Sequence, residues 1–298
     1  MGAEVSVGAR KFYLDYNRMS KIDTKKLKNI AKDIRKNIFK TICSGGGGHI
    51  PASLSIVELL VFLYHNILNI DPDNPAKEDR DRFILSKGHS CVALYNILAE
   101  KGFFPEAELD KFGKKDTILG GHPDMHRIPG VEASTGSLGH GLSFGMGMAL
   151  AGKLDKKDFR VFVLLGDGEC QEGSVWEAAM FASQNRLDNL IAVIDYNKIQ
   201  AMDYLDKIVS VDPLADKWRA FGWGVKEADG HSFADLNKAF SRVPFVKNKP
   251  SMLIAHTTKG KGISFMENSP IWHYRFPNKE ELKIACEELG LGNYYEEL

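Results

Sequence analysis

Apolar positions recur at helical spacing through Leu27, Ile30, Ala31, Ile34, Ile38 and Ile42, which predicts a helix over 24–43. Ser44 and the run Gly45 to Gly48 end it, because consecutive glycines weaken a helix interior. A second helix is expected to start near Ser53 or Ser55, either of which can act as N-cap. It should run through the apolar stretch from Ile56 to Leu68 and end at the Asp71-Pro72 turn. Further on, the pattern changes to short unbroken apolar runs over 82–85, 160–165, 190–196 and 251–256, with a fifth over 224–228. Runs of this length suit strands buried on both faces, and helical patterns lie between them. The alternation predicts an α/β fold: a doubly wound, mainly parallel sheet with helices on both faces and right-handed crossovers. Residues 1–22 lack a clear period and are expected to form an N-terminal extension, leaving one domain over 23–298.

Composition narrows the function classes. The 298 residues can bury a substantial core. Lys plus Arg and Asp plus Glu number 39 each and no basic stripe forms, so nucleic acid is not an expected partner. Near-zero net charge weakly favours association. Cys43, Cys91, Cys170 and Cys286 include no CxxC pair, so free thiols in a reducing cytosol are expected rather than a zinc site or disulfides. The longest apolar stretch, Ile56 to Leu68, carries Glu58 and His65, and the N-terminus lacks a signal-peptide pattern. A cytoplasmic chain without a membrane partner is therefore expected. Met1-Gly2 with Ser6 fits only the loose myristoylation pattern, which is short and common.

Two strand ends carry candidate chemistry. Gly166-Asp167-Gly168 follows the run over 160–165, and Asn197 follows the run over 190–196, thirty residues after Asp167. In doubly wound sheets, ligands sit beyond the carboxyl ends of the strands. Magnesium takes oxygen ligands in an octahedron completed by phosphate and water, so Asp167, the Asn197 amide and a backbone carbonyl just beyond it suit that ion. The flanking glycines let bare N–H groups approach an anion, and a helix from about Ser174 would point its positive end there. Taken alone, Gly-Asp-Gly reads better as a strand-to-helix turn.

The wider pattern resembles the transketolase family of thiamine-diphosphate enzymes. The GDG element with an Asn about thirty residues on resembles their cofactor signature. Asp81 to His89 (DRFILSKGH) resembles a family segment ending in glycine and histidine, and Gly121-His122-Pro123 resembles its GHP element. Ser134 to Gly141 (STGSLGHG) resembles TGPLGQG, His49 resembles the histidine of the first glycine-rich loop, and Trp272-His273 after Lys259-Gly260-Lys261-Gly262 resembles the last. These segments cover roughly residues 25–275 in order.

The resemblance implies thiamine diphosphate and Mg2+, with Ca2+ or Mn2+ as substitutes, as cofactors. It implies that Asp167, Asn197 and the carbonyl of Ile199 hold the metal. Gly168, Asn197 and His89 would touch the diphosphate, Gly136, Ser137 and Leu138 the aminopyrimidine, and His273 the cofactor as well. His49, His122 and His273 would line the substrate channel and shuttle protons, a role suited to imidazole. Glu172 would lie at a self-association interface, and His140 stands where the family often has Gln. Any one of these histidines, read alone, is more commonly a loop hydrogen-bonder; His65, His126, His231 and His256 lack motif context and read as structural. Pro51 and Ala52 depart from the family's glycines and are expected to stiffen the first loop. Ser137 replaces a proline, and Tyr274 replaces a glycine near the substrate mouth.

Full-length members carry a second, pyrimidine-binding domain that supplies the glutamate acting on the aminopyrimidine and most sugar-phosphate contacts. The chain is therefore expected to form an α2β2 assembly with a C-terminal transketolase subunit and to act on sugar phosphates. The nearest alternative is the α subunit of a 2-oxo acid dehydrogenase, which shares GDG and Asn but not the SKGHS, GHPD and STGSLGHG segments. A deoxyxylulose-phosphate-synthase-type chain would normally carry all domains in one polypeptide. A nucleotide-binding domain would need its glycine fingerprint after a strand, whereas Gly45 to Gly48 follow a helix. A non-catalytic scaffold would not need Asp167, Asn197, His49 and His89.

Overall fold

The computed structural model describes residues 22–201 and 203–297, so the expected extension lies almost wholly outside the described residues. Five strands, β1 Arg82–Leu85, β2 Val161–Gly166, β3 Leu190–Tyr196, β4 Gly224–Asp229 and β5 Ser251–His256, form one sheet in the order β1-β2-β3-β5-β4. Every neighbouring pair is parallel. The expected strands are all present, within a residue of their predicted ends.

The helices are α1 Thr24–Ser44, α2 Ile50–Leu54, α3 Val57–Phe62, α4 Cys91–Glu100, α5 Gly141–Leu154, α6 Gly173–Gln184, α7 Leu205–Ile208, α8 Leu214–Ala220, α9 Phe233–Ala239 and α10 Lys279–Leu289. Side chains alternate across each strand, so one sheet feeds two cores. Phe83, Leu85, Phe162, Leu164, Ile191, Val193 and Leu253 pack with residues of α1, α3, α4, α9 and α10. Ile84, Val163, Leu165, Ala192, Ile194 and Ile254 pack with residues of α5, α6 and α8. This is the doubly wound arrangement predicted from the sequence.

The second helical region differs from expectation. It begins at Ile50, with His49 as N-cap residue and Pro51 in its first turn, a position where the missing N–H of proline costs nothing. Ser53 and Ser55 are buried, and the Ser55 hydroxyl is spent on the Ala52 carbonyl and on Asp195 instead of a cap. The helix is interrupted at Ser55–Ile56, resumes as α3, and closes with a wider turn over Leu63–Ile67, before the Asp71-Pro72 turn. The apolar run is also longer than read: Ile50–Ile67 covers 18 residues with a mean hydropathy of 1.5, enough to span a bilayer by length and composition, but 89% of it is buried inside the fold. Pro51 therefore starts a helix, not a stiff loop.

Helix α5 lies close against β2 because Gly145 faces the strand: a Cβ there would come within 2.4 Å of the Val163 Cγ2 atom. Gly147, on the open side of the same helix, has nothing within 4 Å. Gly145→Leu should lower the urea midpoint with an unchanged m-value, at a cost of about 1–3 kcal/mol. Gly147→Ala should stabilise the chain by up to about 1 kcal/mol. Equal effects from the two substitutions would refute this account of α5 packing.

Candidate active site

Strands β2 and β3 are neighbours, with Gly166 paired to Asp195, so the residues that follow them emerge at one rim. The Asp167 carboxylate accepts from the Gly168 N–H at 2.7 Å and from the Lys198 N–H, which places it directly on the turn that carries Asn197. Asn197 Oδ1 accepts from the Ile199 N–H at 3.1 Å, closing that turn. Lys198, between them, has a left-handed φ of 64°, a conformation that costs a non-glycine residue about 1 kcal/mol or more. The carboxylate bond to its N–H holds it there. The Ile199 carbonyl accepts from Lys259 Nζ at 3.1 Å. Asp167, Asn197 and Ile199 are thus brought together as expected.

Below this turn lies Asp195, fully buried on β3. It accepts from Lys87 Nζ, from the Ser55 hydroxyl at 2.8 Å, from Asn197 Nδ2 at 3.0 Å and from the Thr257 hydroxyl. Burial pushes its carboxyl upward, but the Lys87 ammonium and these hydrogen bonds hold it below the usual carboxylate range. Because Asp195 fixes the Asn197 amide through Nδ2, it leaves Oδ1 as the oxygen directed into the turn. The Ala52 carbonyl collects Lys87, Ser55 and Ser90, so what this departure from the family pattern contributes is its main-chain oxygen.

Three histidines form a cluster beside the rim. The His49 ring lies 5.1 Å from His89 and 5.0 Å from His273, and His89 lies 5.7 Å from His273, centroid to centroid. Tyr274 adds a ring 4.7 Å from His49. His122 lies against the Gly136 loop, where a Cβ on Gly136 would meet its ring at 2.8 Å, and near enough to His49 for the two to interact electrostatically. Gly136, at φ 152°, belongs to the loop that crosses Gly88, where a Cβ would meet the Gly136 nitrogen at 2.8 Å. The loop bearing Gly136, Ser137 and Leu138 can lie on the His89 segment only because both crossing points lack side chains. Glu169 anchors it by accepting from the Gly139 N–H at 2.9 Å, the Gly166 N–H at 3.0 Å and the Ser86 hydroxyl.

The charges are unevenly balanced. Lys87 is paired with Asp195, whereas Lys259, 2% exposed, donates to the Ile199 carbonyl and to His273 Nδ1 at 3.1 Å and has no carboxylate partner among the described residues. Burial, then the charge of Lys87, lowers the Lys259 ammonium to about 8. Burial, then the nearby charges of His122, Lys259 and Lys87, lowers His49 to about 4. Burial, then Lys259, lowers His273 to about 3, and burial first of all takes His89 well below its ordinary value. These three rings are uncharged at neutral pH. Asp167 goes the other way, up to about 6, through burial and then the charge of Asp195.

Among the described residues no group of three or more His, Cys, Asp or Glu side chains is placed to hold a metal. The rim instead offers one carboxylate, one amide and one carbonyl, a hard-oxygen set that suits an ion which keeps phosphate and water in its shell. The donor set therefore fits magnesium with a phosphate-bearing ligand. Gly168 lies at the same turn, where a Cβ would come within 3.2 Å of Gln200. A short 3-10 turn, Gly168–Gln171, separates Asp167 from α6, which starts at Gly173, within a residue of the expected Ser174. Glu172 is exposed at the start of α6, and His140 is exposed with its Nδ1 on the Leu138 carbonyl. Sequence reasoning missed Asp195, Lys87, Lys259 and Glu169. A carboxylate inside the otherwise apolar Ile-Ala-Val-Ile-Asp-Tyr strand was the available signal, since such a group must be neutralised.

Comparison with known proteins agrees with this geometry. The family model described as transketolase, thiamine diphosphate binding domain, matches residues 26–296. The chain is 44% identical over 256 residues to an apulose-4-phosphate transketolase subunit from Phocaeicola vulgatus, covering 86% of this chain and 91% of that one. It is 46% identical to the 6-deoxy-6-sulfo-D-fructose transketolase subunit SqwG of Clostridium sp., covering 88% and 96%. Human transketolase is 39% identical over 259 residues, but the chain spans only 41% of its length. Among solved structures, transketolase from Campylobacter jejuni superposes with a TM-score of 0.82 at 29% identity, over 90% of this chain and 43% of that one. Fold, rim and relatives agree, and the chain belongs to the transketolase family through its thiamine diphosphate-binding domain.

Proposed function

We propose that this chain is the diphosphate-binding subunit of a two-chain transketolase, moving a two-carbon ketol unit from a ketose phosphate to an aldose phosphate with thiamine diphosphate and Mg2+. The observation that carries the reading is the buried Lys259 ammonium, which donates to the Ile199 carbonyl at the rim that also holds Asp167 and Asn197. A buried cation without an anion is costly, and a diphosphate would supply that anion. Asp167, Asn197 and the Ile199 carbonyl would hold the metal, for which Ca2+ or Mn2+ could substitute. Gly168, Asn197 and His89 would face the diphosphate. Gly136, Ser137 and Leu138 would support the aminopyrimidine.

Thiamine diphosphate, when bound, supplies the carbanion chemistry of carbon–carbon bond cleavage and formation. The chain's own residues orient and exchange protons. His49, uncharged at neutral pH, would accept hydrogen bonds or protons from sugar hydroxyls, and His273 would donate to them, with His122 as a further channel residue. Lys259 donates to His273 Nδ1, which leaves Nε2 as the protonated nitrogen of that ring, facing away from the lysine. The relatives are named as transketolase subunits, which disfavours a 2-oxo acid dehydrogenase. Their names include apulose 4-phosphate and 6-deoxy-6-sulfo-D-fructose, so the sugar taken by this chain need not be a common pentose phosphate.

Partner docking is supported by the outer face of α5 and α6. Phe144 and Leu154 on α5 and Met180 and Phe181 on α6 are exposed, and large apolar side chains exposed on two helices that pack together support an interaction face that would include Glu172 at the start of α6. We place the self-association of the assembly on this face. Four buried, unpaired cysteines support a reducing, cytoplasmic setting.

Calorimetry of the chain with Mg2+ and thiamine diphosphate should show binding that Asp167→Asn weakens by about a hundredfold or more, in line with loss of a charged metal ligand. Because burial lifts the Asp167 carboxyl to about 6, protons and metal compete for it. Affinity should then fall by up to about tenfold per pH unit below about 6 and level off above it. A flat profile from pH 5 to 8 would contradict that assignment. The chain alone should show no ketol transfer, and adding a second chain with the pyrimidine-binding domain should restore it. Full turnover by the pure single chain would exclude the two-chain arrangement.

A further inference from the structure

We propose that Glu58, His231 and Arg35 form a clamp that positions the 257–262 segment, and through it Lys259, at the cofactor rim. The inference rests on the transketolase reading for what the rim binds, but the clamp itself is built from contacts that include none of the rim oxygens.

The 257–262 segment leaves the end of β5. On its inner side Thr257 bonds Asp195, and Lys259 bonds the Ile199 carbonyl and His273. On its outer side the Thr258 N–H donates to His231 Nε2 at 2.8 Å. A backbone N–H can only donate, so Nε2 must be the unprotonated nitrogen and Nδ1 must carry the hydrogen. That hydrogen is given to Glu58 Oε2 at 2.8 Å, so the carboxylate selects the one tautomer that can receive Thr258. Arg35 completes the clamp: its Nη2 lies 2.9 Å from both Glu58 oxygens and its Nε donates to the Lys261 carbonyl at 2.9 Å. Glu58 is nearly buried on α3 and thereby joins two bonds to the same segment, one at Thr258 and one at Lys261. A further bond, from the Gly260 N–H to the Pro51 carbonyl at 3.0 Å, seats the segment on α2, whose N-cap residue is His49.

None of the three clamp side chains touches the rim oxygens. They are positioning residues: they hold backbone whose side chains reach Asp195, Ile199 and His273. A long, flexible lysine placed on an unclamped segment would lose its fixed approach to the diphosphate position.

The test compares His231→Gln with His231→Leu. Glutamine can accept from the Thr258 N–H with Oε1 and donate to Glu58 with Nε2, whereas leucine fills space and does neither. In the chain without cofactor, amide exchange of the 256–263 peptide should accelerate about tenfold in the leucine variant, the scale expected for loss of a single bonded contact, with exchange in the strands unchanged. In the enzyme reconstituted with its partner, the leucine variant should raise the KM for thiamine diphosphate about tenfold with kcat changed less than about threefold, and the glutamine variant should match wild type within about twofold. Equal behaviour of the two variants, or exchange rising throughout the chain, would overturn the clamp in favour of a purely structural role. A wild-type chain that never binds thiamine diphosphate would defeat the transketolase reading instead, and the exchange comparison would still decide the clamp.

Discussion

The buried carboxylate of Asp195 is the charge around which the rim is organised. An ionised carboxylate removed from water is tolerated only when donors surround it. Here the donors come from four segments: Lys87 after β1, Ser55 at the break between α2 and α3, Thr257 after β5 and Asn197 after β3 itself. Satisfying one negative charge therefore fixes four pieces of chain relative to one another. The order of the sheet makes this possible, because β3 lies at its centre with β2 on one side and β5 on the other. The break in the second helix has the same origin: Ser55 turns its hydroxyl toward the carboxylate where a regular helix would have continued.

The same accounting explains the state of the histidines. With Asp195 neutralised by Lys87, the second lysine at the rim, Lys259, has no carboxylate partner among the described residues. Two ammonium groups close to three imidazoles make any further positive charge expensive, and burial adds to that cost. The rings are therefore held as neutral hydrogen-bonding groups, while the Asp167 carboxyl is held partly toward its protonated form. A divalent cation with a diphosphate would reverse both imbalances together: the metal would take the carboxylate, and the phosphate oxygens would meet the lysine. The site's unbalanced charges would suit an anionic ligand carrying its own cation.

Much of this was legible in the sequence, for a physical reason. Strands buried on both faces leave unbroken apolar runs, and a polar residue directly after such a run must lie at a sheet end, so the sequence alone places Asp167 and Asn197 there. The beginning of the second helix was not legible in the same way. Ser53 and Ser55 have the chemistry of caps, and only a contact 140 residues away, to Asp195, shows why Ser55 is used otherwise. Lys259, Thr257 and the pair of Glu58 with His231 share that difficulty, the last separated by 173 residues. Local pattern reports periodicity and turn chemistry; it does not report which buried charges meet.

A contrast in exposure separates the two tasks of the site. At the rim, Asp167, Asn197, Lys87 and Lys259 are nearly inaccessible and each is held by more than one bond, so their geometry is over-determined. Beside the histidines, Tyr274 is 63% exposed, although its ring rests against His49. A residue that touches a channel histidine with one edge of its ring and solvent with the rest can alter the space above that histidine without disturbing the bonds beneath it. On the proposed reading, cofactor retention and sugar choice would be carried by different physical regimes within one chain: the first by buried charge that must be satisfied, the second by surface shape that is free to vary.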